Sequence, residues 1–285
     1  MQPIESNAQS ENDILIADQK TGRILVLDSN EDWNSRRAIK WEFSIKKQSA
    51  VFSRLFPRLN DAKRLDRDGR IFIVIAGNGG DGIALIDFET KKPIFYTRAD
   101  GDPHTAEVLP GGYIAASLPR RGGVKLFPMD RNMSRAVSTI PHPGAHALLW
   151  DDDTSVLWSW GGAALKKIGF DRRGMKLIKT YRIPGGYGGG HDMTAFDGQL
   201  YVTHNGGISA FDVVSGTWKH VILDRRLRGI KGLSYNGIEL IYTQSNERAT
   251  GLRSRTNAVQ STTNADRVAK WGGWYKARWF EMDKL

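Results

Sequence analysis

Three histidines, His104, His146 and His191, stand 42 and 45 residues apart, and each opens a stretch of similar build. The stretches read HTAEVLPGGYIAAS, HALLWDDDTSVLWSW and HDMTAFDGQLYVTH. Lysine takes the same place in KRLDRDGRIFIVIA from Lys63 and in KGLSYNGIELIYTQ from Lys231. Three kinds of chemistry are open to such a set. Neutral imidazoles from adjacent repeats would share one divalent metal, Zn, Mn or similar, leaving positions for water or substrate. Without metal, one imidazole would act as general acid or base while Lys63, Lys231 or Arg120 neutralises an anionic substrate. Nearby cations would keep that imidazole neutral, as a base requires. In the third reading each histidine braces its own turn by hydrogen bonding.

Whichever applies, something must bring these positions together. Each stretch is an anchor, a short apolar strand, a tight Asp/Gly turn and a second apolar strand, repeating with a period near forty residues. That is the signature of a β-propeller blade. Counting units along the chain gives an all-β, six-bladed β-propeller with four-stranded antiparallel blades. Residues 1–12 read as a flexible arm and 13–285 as the propeller domain. The first unit has strands at Ile14–Asp18, Arg23–Asp28 and Ile39–Ile45 but no innermost strand. The ring is therefore closed with help from a chain terminus, and closure removes sheet edges.

In this topology the anchors ring the axis on one face. The ends of the second strands surround them, contributing Asn78, Arg120, Arg121, Trp160, His204, Asn205 and Gln244. Of these, Arg120, Arg121, His204 and Gln244, with Lys63 and Lys231, form the expected substrate-binding set, and Trp160 offers a platform for stacking a sugar ring. His204 would be the fourth histidine of the cluster. His142 reads as a loop residue near the mouth and His220 as part of an outer strand. The polar stretch Ser245–Asn264 is a loop that would cover the same mouth. GGYGGGHD, ahead of His191, lets backbone approach something closely, or is a flexible connection.

Composition narrows the partners. A formal charge of +10 points to an anionic partner, and an anionic small molecule or acidic saccharide fits a funnel lined by His, Lys and Arg. Nucleic acid is disfavoured because the basic residues are scattered, with no basic helix or known module. The absence of cysteine excludes disulfides, thiolate metal sites and thiol nucleophiles. No apolar run reaches the ~18 residues that span a bilayer. The opening MQPIESNAQSEND lacks the apolar core of a signal peptide.

The segments ILIADQKTGRILVLD, PHTAEVLPGG, GAHALLWD, GGHD and WYKARW resemble an uncharacterised bacterial family of single-domain six-bladed propellers. That resemblance implies the fold and no activity. The axial histidines, His104, His146 and His191 with His204, are also similar in type to the metal site of oligogalacturonate lyases. This second resemblance implies metal-assisted β-elimination on uronate-containing saccharides, with catalytic and metal-binding histidines and a periplasmic or extracellular location. The alternatives are a non-catalytic module for an anionic glycan or metabolite, and a protein-interaction scaffold. Gluconolactonase-type propellers are disfavoured, since they hold Ca²⁺ with Glu, Asp and Asn where this chain offers His and Lys.

Overall fold

The computed structural model describes residues 12–171, 174–224, 227, 229–252 and 255–281, so most of the expected N-terminal arm lies outside the described residues. Strands fall into six four-stranded antiparallel sheets, the blades of one propeller. Strands such as IFIVIA read as continuous apolar runs because both faces pack against neighbouring blades. Outer strands have one wet face. In Trp218–Leu223, for instance, no residue is fully buried.

The six innermost strands are Arg58–Arg67, Thr105–Leu109, Ala145–Asp151, Met193–Phe196, Ile230–Tyr235 and Trp274–Trp279. The last belongs to blade 1. Its sheet runs Trp274–Trp279, Asp13–Asp18, Arg23–Asp28, Ile39–Ser44, so the C-terminal strand closes the ring. Ile14 pairs with Trp279, Leu15 with Arg278 and Ile16 with Ala277. Trp274 and Trp279 are both essentially buried, and their indole nitrogens donate to the carbonyls of Ala258 and Glu239 in blade 6. Burial of each large side chain stabilises the closure by about 2–3 kcal/mol. In chain order WYKARW follows the strands of the sixth blade. Pairing assigns it to the first, because only there does it satisfy an otherwise open inner edge.

Candidate functional site

A small backbone irregularity recurs where the inner strands begin. Pairing slips by one residue at Asn60, at His146 and at Lys231. In blade 1, Tyr275 and Lys276 together oppose a single residue, Ala17. A bulge of this kind re-aims a side chain, here towards the axis. In blade 3, the His104 N–H still bonds the Ser117 carbonyl, and in blade 5 the His191 N–H reaches the Thr203 hydroxyl. The level of the ring is therefore Asn60, His104, His146, His191, Lys231 and Tyr275, one residue per blade.

The three histidines do meet. His104 and His146 rings lie edge to face with centroids 4.6 Å apart, and His146 and His191 repeat the same 4.6 Å geometry. Tyr275 joins them, 5.4 Å from His104 between ring centroids, and its hydroxyl is 3.3 Å from His191 Nδ1. Lys231 Nζ lies 2.8 Å from His191 Nε2. An imidazole accepting at Nε2 carries its proton at Nδ1 and donates it to the phenol oxygen. His146 Nδ1 bonds the Gly144 carbonyl at 2.7 Å, so this ring also braces its turn.

Arg255, from the loop after the second strand of blade 6, lies over Tyr275 with its guanidinium 4.5 Å from the ring centroid. Its Nε donates to Gln19 Oε1 at 2.8 Å. The loop thus covers part of the mouth, as expected, although Ala258–Ser261 within it is a strand of the blade.

One residue deeper, the chemistry changes. Asp61 and Asp192, both fully buried, face Lys276 and Arg278 from the closing strand. Arg278 grips Asp61 through Nε and a terminal nitrogen at 3.0 and 3.1 Å and reaches Asp192 at 2.8 Å. Lys276 bonds Asp192 at 2.9 Å, and the Leu233 N–H completes that carboxylate at 2.8 Å. Burial alone would raise the Asp61 pKa, but Arg278, Lys276 and Lys63 outweigh it and hold the carboxyl well below its usual range. The expected funnel lined by His, Lys and Arg is corrected: carboxylates are present as well, beneath the mouth.

Burial acts on the mouth in the opposite sense. It pulls His146 down to about 3, helped by the neighbouring His104. His191 is driven well below the ordinary histidine range by burial, then by His146 and Lys231. His104 is lowered by burial despite Asp102, whose carboxylate lies 3.7 Å from Nε2. Lys231 falls to about 8 through burial and the nearby Arg255. Burial pushes the Tyr275 phenol up. At neutral pH the mouth thus holds three neutral imidazoles, a neutral phenol and two cations.

This donor set does not suit a divalent ion as folded. Both ring nitrogens of His191 are engaged, one ring nitrogen of His146 is engaged, and Lys231, Arg255 and Lys276 surround them with positive charge. Among the described residues no group of three His, Asp or Glu side chains is arranged to hold a metal.

Several expected members lie elsewhere. Lys63 sits in mid-strand, where its Nζ meets Glu107 at 2.7 Å and the Leu148 carbonyl at 2.5 Å. Its true counterpart at the mouth is Asn60, because the inner strand Arg58–Arg67 is longer than the inner strands of the histidine blades. Trp160 is wholly buried, and its indole donates to the Thr203 carbonyl at 2.9 Å. It is packing, not a sugar platform. The glycine run explains why: a Cβ at Gly190 would stand 2.4 Å from the Trp160 indole nitrogen, so backbone approaches that ring and not a ligand.

His204 turns away along its blade, 2.8 Å from Ser209 Oγ and stacked on Tyr187. Ser209 also meets His220, which lies on the outer strand as expected. His142 is buried against Ser159 and not exposed at the mouth. Arg120 stays at the rim, 2.8 Å from Asp102. Arg121 is exposed beside Gly101. Gln244 opposes Ile230, next to Lys231. At the opposite end of the axis a cavity of about 50 Å³ touches Lys63, Glu107 and Arg278. It is too small for a sugar, since ligand pockets run to roughly 300–1,000 Å³.

Sequence reasoning missed Asn60, Tyr275 and Arg255. Asn60 precedes His104 by 44 residues and Tyr275 follows Lys231 by 44, so the repeat itself held the signal for both. Arg255 carried none.

Similar folds are found among solved structures. The β-propeller domain of Myceliophteria thermophila Cps50 (Swd1) aligns with TM-score 0.61 at 13% identity, over 96% of this chain and 85% of that one. A protein of unknown function from Bacteroides caccae aligns with TM-score 0.60 at 13% identity, over 94% and 98%. A chain of a nidogen/laminin complex gives 0.58 at 14% identity, over 93% and 97%. At these identities the likeness concerns the fold alone. No curated protein matches the sequence. No helix among the described residues is long and apolar enough to cross a membrane. Residues 4–280 match the model of a family of unknown function, DUF6528, and the chain belongs to that family.

Proposed function

We propose that the protein takes a small carboxylate-bearing ligand, an acidic saccharide of the uronate class, at the axial mouth. His104, His146, His191, Lys231 and Tyr275 would line it, with Arg255 above and Arg120 at the rim. One observation carries this reading: the cations beneath the mouth are paired with carboxylates, and the Lys231 ammonium at the mouth is not, among the described residues. Lys276 and Arg278 share Asp61 and Asp192. Lys231 meets an imidazole and a ring face, with no carboxylate within ion-pair distance among the described residues. A partly desolvated ammonium in this state gains more from an incoming carboxylate than a solvated surface lysine would.

The same groups suit elimination next to a carboxylate. Lys231 and Arg255 would neutralise the acid group and so acidify the adjacent C–H bond. A neutral imidazole would take that proton, and the protonated Tyr275 phenol would supply one to the departing oxygen. Binding without turnover is the second reading. It is favoured by the His146 bond to Gly144, which commits that ring to bracing.

Calorimetric titration with galacturonate and glucuronate oligomers, against neutral oligosaccharides, tests the binding, and absorbance of unsaturated uronates tests turnover. His146→Ala should abolish turnover and weaken binding about tenfold, equivalent to ~1.4 kcal/mol. Zn or Mn added to either assay should change neither. Failure of every uronate to bind the folded protein sinks the reading.

A further inference from the structure

We infer that Lys231 is a carbonyl-reactive amine, its Nζ placed to form an imine with a small 2-oxo acid or aldehydic acid entering the axial mouth. This deepens the reading of the mouth as an anion site and rests on it.

Lys63, Lys231 and Lys276 lie along the axis among the described residues, and their surroundings differ. Lys63 is paired with Glu107, and Lys276 with Asp61 and Asp192. An ammonium locked to carboxylates is kept protonated and cannot attack a carbonyl. Among the described residues Lys231 has no carboxylate within ion-pair distance. The bulge between Ile230 and Gly232 turns it inward at the mouth, where it remains partly accessible. Its Nζ faces His191 Nε2 at 2.8 Å, an acceptor held neutral by its surroundings. His191 continues through Nδ1 to the Tyr275 hydroxyl at 3.3 Å. A proton leaving the amine therefore has an adjacent acceptor, and a proton needed by the carbonyl oxygen has a nearby donor.

Arg255 contributes twice. Lying over Tyr275, it disfavours a second cation at Lys231, and it supplies positive charge for the carboxylate of an oxo acid. The lowered proton affinity of Lys231, to about 8, agrees with this arrangement, although Glu247 acts weakly the other way. Burial beside another cation is the recognised way to make lysine nucleophilic near neutral pH.

The step balances without redox chemistry. The Nζ lone pair forms a bond to the carbonyl carbon, and the C=O π electrons move to oxygen, which takes a proton. The amine gives up its two protons in turn, one matching the proton taken by the oxygen and the second matching the one that lets the hydroxyl leave as water, which breaks the C–O bond while nitrogen forms the C=N bond. One water is released and no oxidant or reductant is consumed.

The test is trapping with borohydride, which delivers hydride to the imine carbon. The full chain is incubated with pyruvate or glyoxylate, reduced, weighed intact and mapped by peptide digestion. We expect one reduced adduct per chain, located at Lys231. Lys231→Arg, which keeps the charge but removes the reactive amine, should lower labelling at least tenfold while leaving circular dichroism and the melting transition in place. Galacturonate oligomers should slow the labelling by competition. No adduct with either acid, or labelling spread evenly over surface lysines, overturns the inference. Uronate binding without any adduct would remove the imine chemistry alone. An adduct at Lys231 without uronate binding would retain it and remove the saccharide.

Discussion

His191 and Asp192 are neighbours on one strand, yet they belong to layers of the axis with opposite electrostatics. Asp192 and Asp61 take up the charges of Lys276 and Arg278, and every strong donor in that layer has an acceptor. At the His191 level, uncharged rings and a phenol surround Lys231 and Arg255. The deeper layer is a fastening, since both its cations come from the strand that closes the ring. In the upper layer Arg255 ties its loop to Gln19 and Asn60, whereas Lys231 has no carboxylate within ion-pair distance among the described residues. Charge kept where it does not stabilise the fold is charge available to a ligand.

Stability measurements separate the two layers most sharply. Asp192→Ala leaves Lys276 and Arg278 sharing Asp61 and strands the Leu233 N–H, and should cost about 3–5 kcal/mol in denaturant melts. Lys231→Met removes a partly buried ammonium with no carboxylate within ion-pair distance among the described residues, and should lie within about 1 kcal/mol of the parent, on the stabilising side. Equal losses from the two substitutions would mean that the layers form one network.

Acid and base titration sharpen the same contrast. A histidine whose folded pKa is depressed binds fewer protons folded than unfolded, so stability falls as pH drops through the unfolded value. For His146 that window runs from 6.5 down to about 3. The slope there is about 1.4 kcal/mol per pH unit for each such histidine. Lys231 obeys the same sign in its own range. Its penalty is full below about 8 and gone above 10.5, so stability should rise with pH across that interval. Lys231→Met should flatten this alkaline rise and also soften the acid limb, because Lys231 helps to depress His191 and His146, as followed by melting temperature against pH. An unchanged alkaline limb would show that Lys231 is solvated.

How far these layers could be read in advance depended on the kind of signal. Blade number and strand pairing follow from a period near forty with apolar runs, a pattern that short-range physics writes directly into the chain. His104, His146 and His191 converge because equivalent repeat positions converge. The frame slipped at Lys63, where a longer inner strand shifted the apparent anchor by three residues from Asn60. Trp160 and His204 end strands at the right height, but strand direction alone does not say which way a ring points. Gly190 and Ser209 decide that, by contact from other parts of the blade. The Asp61 and Asp192 layer stayed hidden because its partners, Lys276 and Arg278, are more than eighty residues away in sequence from either.

The smallest effect concerns the rim. Arg120 is 82% exposed and touches the cluster through Asp102, which lies between it and His104. An exposed pair of this sort contributes about 0–1 kcal/mol, so Arg120→Ala should melt with the parent. Its influence on an anionic ligand would act through solvent and be screened within a Debye length of about 8 Å at physiological salt. Uronate affinity should therefore fall two- to threefold at low salt, on the order of 0.5 kcal/mol, and converge with the parent at high salt. Releasing Asp102 from Arg120 also strengthens its pull on His104, so that ring should titrate slightly higher in the variant, visible by NMR. A loss of affinity that persists at high salt would mean that the guanidinium touches the ligand directly, and the mouth would then extend outward from the histidine ring to the blade rim.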